Sequence, residues 1–215
     1  MKRNSISIII GVLLVLGGLL FLLENFNLVT LNFSIFFALL FAAGGAIFLA
    51  VFASDSQQWW ALIPGFSLLA IGGLIALPMI SPFYADRLGG PLFLGAIALA
   101  FWLIYAVKRE YWWAVIPAGS LTTLAVVAGL SVYPALDQYS GGVFFLGMAL
   151  TFGLLTILPV QGANLRWALY PAGVMLVLSV IVLASASALM SYVWPVALIV
   201  GGIALIFFTR RPRLQ

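Results

Sequence analysis

Apolar residues run almost without a break from Ile6 to Phe208, and short clusters of Gly, Pro, Asn or charge interrupt them at intervals of about twenty residues. Breaking the chain at those clusters predicts helices at 6–23, 33–53, 60–77, 91–107, 113–131, 142–159, 167–186 and 192–208. Each run matches the roughly 20 residues that a helix needs to cross about 30 Å of hydrocarbon. Helix is the required choice, because lipid offers no partner to an unpaired amide and these runs lack the alternation of barrel strands. The longest polar stretch, between Pro78 and Gly90, is too short to fold by itself, so it is expected to be a connecting loop.

Composition changes the picture in one respect, by fixing the solvent. Hydrophobic residues make up 65% of the chain and charged residues 7%, whereas a soluble domain carries roughly 25% charged residues to cover its water-facing shell. The expected fold class is therefore all-α, a polytopic membrane protein of about eight transmembrane helices in a single integral membrane domain, 1–215. Lys2 and Arg3 ahead of the first run resemble the start of a signal peptide. The run ends in Leu22-Leu23-Glu24-Asn25-Phe26, which has no small-residue cleavage site, so an uncleaved first span is expected.

Charge then orients the chain. With the N-terminus in the cytoplasm, Lys2, Arg3, Lys108, Arg109, Arg166, Arg210, Arg211 and Arg213 fall inside, and of the nine basic residues Arg87 alone falls outside. The positive-inside rule then puts both termini in the cytoplasm. Clusters of two or three basic residues at helix ends have this membrane explanation, so nucleic acid is not an expected partner. Arg210-Arg211-Pro212-Arg213 reads as the stop signal of the last span and as a small site for anionic lipid.

The pattern also repeats. Trp59-Trp60-Ala61-Leu62-Ile63-Pro64 recurs as Trp112-Trp113-Ala114-Val115-Ile116-Pro117 and as Arg166-Trp167-Ala168-Leu169-Tyr170-Pro171, at steps of 53 and 54 residues. Gly89-Gly90-Pro91-Leu92-Phe93-Leu94-Gly95 recurs as Gly141-Gly142-Val143-Phe144-Phe145-Leu146-Gly147. These matches predict four tandem helical hairpins in parallel repeat, at 6–53, 59–107, 112–159 and 166–208, with a diverged first copy. Two spans per unit return the chain to its starting side, which makes the copies parallel.

Chemistry is sparse. There is no Cys and no His, which removes thiol redox chemistry, the usual zinc sites and histidine-ligated haem, and no cofactor is expected. No Asp, Glu, Lys or Arg falls in the middle of a predicted span, which disfavours a proton-coupled pump. Ser67, Ser120, Thr122, Thr123, Thr151, Thr156 and Ser179 are the polar groups at depth, and are expected to bond to their own helix or a neighbour. Glu24, Asp86 and Asp137 occupy outer loops and read as solvated acids, with Asp86-Arg87 as an exposed ion pair.

Two sets of residues stand out as candidate sites. Ala38, Ala42, Ala46 and Ala50 at four-residue spacing, with Gly72, Gly73, Gly201 and Gly202, predict smooth stripes for close packing within the chain, with a second copy, or with another membrane protein. Trp59, Trp60, Trp112, Trp113, Trp167 and Trp194 predict interface anchors whose indole N–H stays hydrated, each ahead of a proline in the first helical turn. With Trp102 assigned to the same face, they outline an aromatic ring that a partner helix or an amphiphile could meet.

The first span, Gly11-Val12-Leu13-Leu14-Val15-Leu16-Gly17-Gly18-Leu19-Leu20-Phe21-Leu22-Leu23-Glu24-Asn25-Phe26, resembles the first helix of the LiaI/LiaF-like bacterial transmembrane family. Trp194-Pro195-Val196-Ala197-Leu198-Ile199-Val200-Gly201-Gly202-Ile203-Ala204-Leu205, closed by the arginine cluster, is similar to that family's second helix. The resemblance covers roughly the first and last 50 residues. It implies a bacterial inner-membrane protein, tied in some relatives to envelope-stress sensing through a signalling partner. Those relatives add a soluble domain after the hairpins, and none is expected before Gln215. The reading that follows is a non-enzymatic scaffold, sensor or accessory subunit in contact with membrane lipid. The alternative is a transporter or channel for a small neutral or amphipathic solute, with Ser120, Thr122 and Thr123 near its path.

Overall fold

The computed structural model describes residues 33–158 and 164–186, with isolated positions at 15, 18, 195, 196, 198–200 and 202. Among the described residues six helices are long and apolar enough to cross a bilayer, the architecture of a helical multi-pass membrane protein. They are built on α1 (Phe33–Ser54), α2 (Leu62–Ile80), α3 (Pro82–Val107), α4 (Val115–Leu130), α5 (Ser140–Ile157) and α6 (Leu169–Ser185), with a short 3₁₀ turn adding to the start of the second, fourth and sixth. The predicted spans 6–23 and 192–208 lie outside this region, apart from the isolated positions.

Neighbours in sequence are neighbours in space. Helix α1 packs on α2, α2 on α3, α3 on α4, α4 on α5 and α5 on α6. Three of the four connections between α1 and α4, or α5 and α6, run through short 3₁₀ turns, at Trp59–Ala61, Trp112–Ala114 and Leu165–Ala168, and all three turns lie at one end of the array, called here the tryptophan end. Lys108, Arg109 and Arg166 lie at the same end, and Arg87 lies in α3 near the other.

The connection between α2 and α3 departs from the sequence reading. The stretch 78–90 is helix rather than loop: Pro78 lies inside α2, α3 begins at Pro82, and Ser81 alone separates them. Ser81 is extended, at φ −157° and ψ 106°, which turns the chain, and Pro82 then takes the first helical position, where a missing N–H is harmless. The amide of Ala85 closes the first turn on the Ser81 carbonyl at 3.1 Å. At 26 residues α3 is about 39 Å long, so its first turns extend beyond a hydrocarbon layer of about 30 Å and carry Asp86 and Arg87 out of it. The Arg87 guanidinium lies over the Phe83 ring, 4.0 Å from its centroid.

The α1–α2 seam is made of small residues. A Cβ on Gly72 would lie 2.8 Å from the Ala38 carbonyl oxygen and 3.0 Å from the Ala42 amide nitrogen; one on Gly45 would lie 2.7 Å from the Gly65 carbonyl oxygen. Two backbones therefore approach as closely as glycine allows, which maximises van der Waals contact where no hydrophobic force joins helices. The α5–α6 seam adds a bond across helices, from the Ser179 hydroxyl to the Gly142 carbonyl at 2.9 Å.

Candidate functional site

The three tryptophan turns are built alike. In the first two, the amide of Ala61 bonds to the Gln58 carbonyl and the amide of Ala114 to the Tyr111 carbonyl, each at 3.0 Å. In the third, the Asn164 side chain accepts from the Arg166 amide at 3.1 Å. Proline then occupies the third position of the following helix in every case, as Pro64, Pro117 and Pro171. Proline in the first turn of the α-helix is tolerated and presets φ.

Side chains repeat the match. Trp60 meets Phe48 edge-on with centroids 6.0 Å apart, Trp113 meets Phe101 at 6.3 Å, and Trp167 meets Phe152 at 6.3 Å. Each turn thus leans a tryptophan on a phenylalanine of the helix before it, an arrangement favoured by the ring quadrupoles. The alanine that follows is fully enclosed: Ala61, Ala114 and Ala168 are all 0% exposed. With Leu62, Val115, Ile104 and Leu155 these alanines help form the buried core, which therefore sits at the tryptophan end rather than at mid-membrane.

Of the predicted anchors, Trp59 and Trp112 are half-buried, whereas Trp60, Trp113 and Trp167 are exposed. Trp194 lies outside the described residues. Trp59 joins a cluster with Tyr111 at 5.0 Å and Trp113 at 5.8 Å, so the first two turns touch through their rings. Their loops are also tied, because the Lys108 ammonium donates to the Gln57 side-chain oxygen at 2.8 Å. Arg109 places its guanidinium over the Tyr105 ring, 4.7 Å from the centroid.

Trp102 is not part of this end face. It lies five residues before the end of α3, about 8 Å inside, and its indole N–H donates to the Thr122 hydroxyl at 3.0 Å. The Thr122 hydroxyl in turn donates to the Ala118 carbonyl at 2.8 Å. An indole carried into hydrocarbon needs such a partner, and Thr122 supplies it.

Beside this pair a groove of about 340 Å³ opens between α4 and α5, with Trp102, Thr122, Val126, Leu146, Leu150 and Leu154 among its walls. Its floor is a reciprocal seam. A Cβ on Gly119 would strike the Thr151 side chain, and one on Gly147 would strike the Thr123 side chain. Each threonine donates to the carbonyl of the glycine four residues earlier in its own helix, Thr123 to Gly119 and Thr151 to Gly147, both at 2.8 Å. The two Gly-x-x-x-Thr faces are therefore complementary, each threonine filling the notch left by the other helix's glycine. Replacing Gly147 with Ala should lower the stability of the chain in detergent by about 1–3 kcal/mol through overpacking. Adding Thr123→Gly should recover most of that loss, a coupling that a double-mutant cycle of denaturant titrations measures.

The small-residue candidates divide. Ala38 and Gly72 are buried in the α1–α2 seam and Ala42 borders it, but Ala46 is exposed, and Gly73 is exposed with open space around its Cβ position. Gly202 is helical, and Gly201 lies outside the described residues. Of the hydroxyls named for a solute path, Thr122 and Thr123 line the groove, whereas Ser120 does not. Asp137 serves its own loop, accepting from the Ser131 hydroxyl at 2.7 Å. Sequence reasoning did not single out Phe48, Phe101 and Phe152, or the three buried alanines. A phenylalanine 12 to 15 residues before each tryptophan, and the invariant Trp-Ala step, were the available signals. No family model matches the chain, and no curated protein or solved structure is similar to it.

Proposed function

We infer that the chain is a non-enzymatic protein of a bacterial inner membrane, with both termini in the cytoplasm, acting as a scaffold, envelope-stress sensor or accessory subunit of a membrane complex. The observation that carries this reading is how the polar groups at depth are used. Of the seven hydroxyls at depth, those of Thr122, Thr123, Thr151, Thr156 and Ser179 donate to backbone carbonyls, and among the described residues no buried side-chain N or O atom lacks a partner. Four of these bonds fold back within the donor's own helix and the Ser179 bond crosses from α6 to α5, and the exposed feature left over is the aromatic, basic tryptophan end, suited to a partner.

On this reading the spans 6–23 and 192–208 complete eight helices, and the chain is a tandem parallel repeat related to the LiaI/LiaF-like proteins. The matched turns support the repeat, since Phe–Trp contact, buried alanine and first-turn proline recur together at three places. Helices joined through a tryptophan turn also pack more extensively than those joined at the opposite end. The repeating structural unit is thus better cut as helix, tryptophan turn, helix.

The test is purification of the tagged full chain from bacterial membranes in mild detergent after crosslinking. A membrane or signalling protein should accompany it in fixed ratio, and that ratio should change when the envelope is damaged. A chain that emerges alone under both conditions contradicts the scaffold and sensor readings. The transporter reading draws on the placement of Thr122 and Thr123 at the groove, and solute flux in proteoliposomes above that of empty vesicles would favour it instead.

A further inference from the structure

Trp102 divides a lateral cleft in two. On one side lies the groove between α4 and α5; on the other a second recess of about 400 Å³ opens between α3 and α4, reaching Gly95, Ala98, Leu99 and Ala125. Trp102, Thr122 and Val126 line both. The first recess runs from Leu154 to Val143, about 16 Å along α5. At roughly 30 Å³ for a water-sized group, its 340 Å³ holds on the order of ten methylenes.

The walls request no hydrogen bond from an occupant, because the Trp102 indole and the Thr122 hydroxyl have both spent their protons, on Thr122 and Ala118. That leaves hydrocarbon as the matching chemistry. Charge enters at one end. Tyr105, one turn beyond Trp102 on α3, carries the exposed Arg109 guanidinium over its ring. Lys108 is next to it, held by Gln57 through one of its three N–H groups. An acid, Glu110, follows Arg109 in the loop, and Asp55 in the facing loop is engaged by the Gln57 amide at 2.9 Å.

We propose that this cleft binds one anionic diacyl phospholipid from the leaflet at the tryptophan end, with one acyl chain on each side of Trp102 and the phosphate drawn to Arg109. Two recesses sharing one aromatic divider fit two chains of one molecule, and the basic rim supplies the complementary charge. The bilayer on that side, if cytoplasmic, is also the one rich in anionic headgroups.

The test uses the full chain in neutral detergent, with dioleoylphosphatidylglycerol and dioleoylphosphatidylcholine added in equal amounts and retained lipid counted by native mass spectrometry. The unaltered protein should hold one lipid, with a preference of about fivefold for phosphatidylglycerol. Arg109→Gln should erase the preference and leave total retention unchanged. Val126→Trp, at a position 49% exposed that lines both recesses, should cut retention by about tenfold with the melting temperature held. Leu150→Trp fills the α4–α5 recess alone, and should exchange the diacyl lipid for the single-chain lysophosphatidylglycerol.

Several results would overturn the proposal: no lipid retained above the detergent background, retention by Val126→Trp equal to that of the unaltered chain, or an undiminished preference in Arg109→Gln. A Leu150→Cys variant of this cysteine-free chain tests the other occupants. A disulfide-linked dimer would mean that a second copy covers the groove, and protection from a membrane-permeant maleimide in lipid-free detergent would mean that the chain covers it itself. Either outcome displaces the lipid.

Discussion

Replacing Gly45 with Val should separate α1 from α2 and lower the stability of the folded chain by about 3 kcal/mol or more, at the upper end of overpacking costs. The reason is what the new atoms meet. A Cβ at Gly45 would approach the Gly65 carbonyl oxygen to 2.7 Å and the Leu69 amide nitrogen to 2.8 Å, and backbone atoms within a helix cannot swing aside as a side-chain tip can. The helices must move apart, which also loosens Gly72 from Ala38 and Ala42. Gly73→Val is the control, since the same addition there meets nothing within 4 Å. Denaturant titration in detergent should show a large shift for Gly45→Val and a small one for Gly73→Val.

That contrast shows which part of the packing was legible in the sequence. The existence of small-residue faces was readable, because Gly and Ala clusters inside apolar runs have few other uses in lipid. Which residues form the contact line was not readable from a fixed spacing of four. Four residues advance about 400°, so each step drifts about 40° around the helix. From Ala38 and Ala42 the line passes through Gly45 and Leu49, seven and eleven residues on, while Ala46 and Ala50 turn outward. A glycine pair poses the same problem, since adjacent residues lie about 100° apart and Gly72 and Gly73 cannot share a seam.

Among the described residues, helix positions followed from apolar run length with errors of a few residues, except at 78–90. There, glycine and proline read as breaks, but Pro82 starts a helix and Gly89-Gly90 continue it, because the turn is already made at Ser81. The tryptophan motif was visible as a repeat, yet its structural content was not. The sequence signal is the conspicuous indole, whereas the enclosed group is the small residue after it. Trp102 shows the same limit in reverse: its depth depends on a bond to Thr122, twenty residues away on another helix, and no local pattern carries such a pairing.

Ala114→Phe should have an effect as large as Gly45→Val and should spread further. Ala114 is 0% exposed, in a cluster that also contains Val115, Ile104, Leu155 and Ala168, with Trp112 packed against it. Adding a ring to a site with no space forces neighbours off their rotamers, and here the neighbours belong to several helices at once. The Phe101–Trp113 contact should be lost and the Trp59–Trp113 contact, 5.8 Å between centroids, should open. Tryptophan emission should shift to longer wavelength as indoles leave their apolar partners, and proteolysis should begin in the 108–111 loop. Ala114→Ser, close to the same volume, should leave emission nearly unchanged. If Ala114→Phe melted with the parent chain, the tryptophan turns would be surface anchors alone, and the core would have to lie elsewhere in the array. The three alanines allow the test to be repeated: Ala61→Phe should disturb the first turn and its Phe48–Trp60 contact, and Ala168→Phe the third with Phe152–Trp167. Ala114, in the middle one of the three turns and itself part of the buried cluster, should give the largest loss of the set.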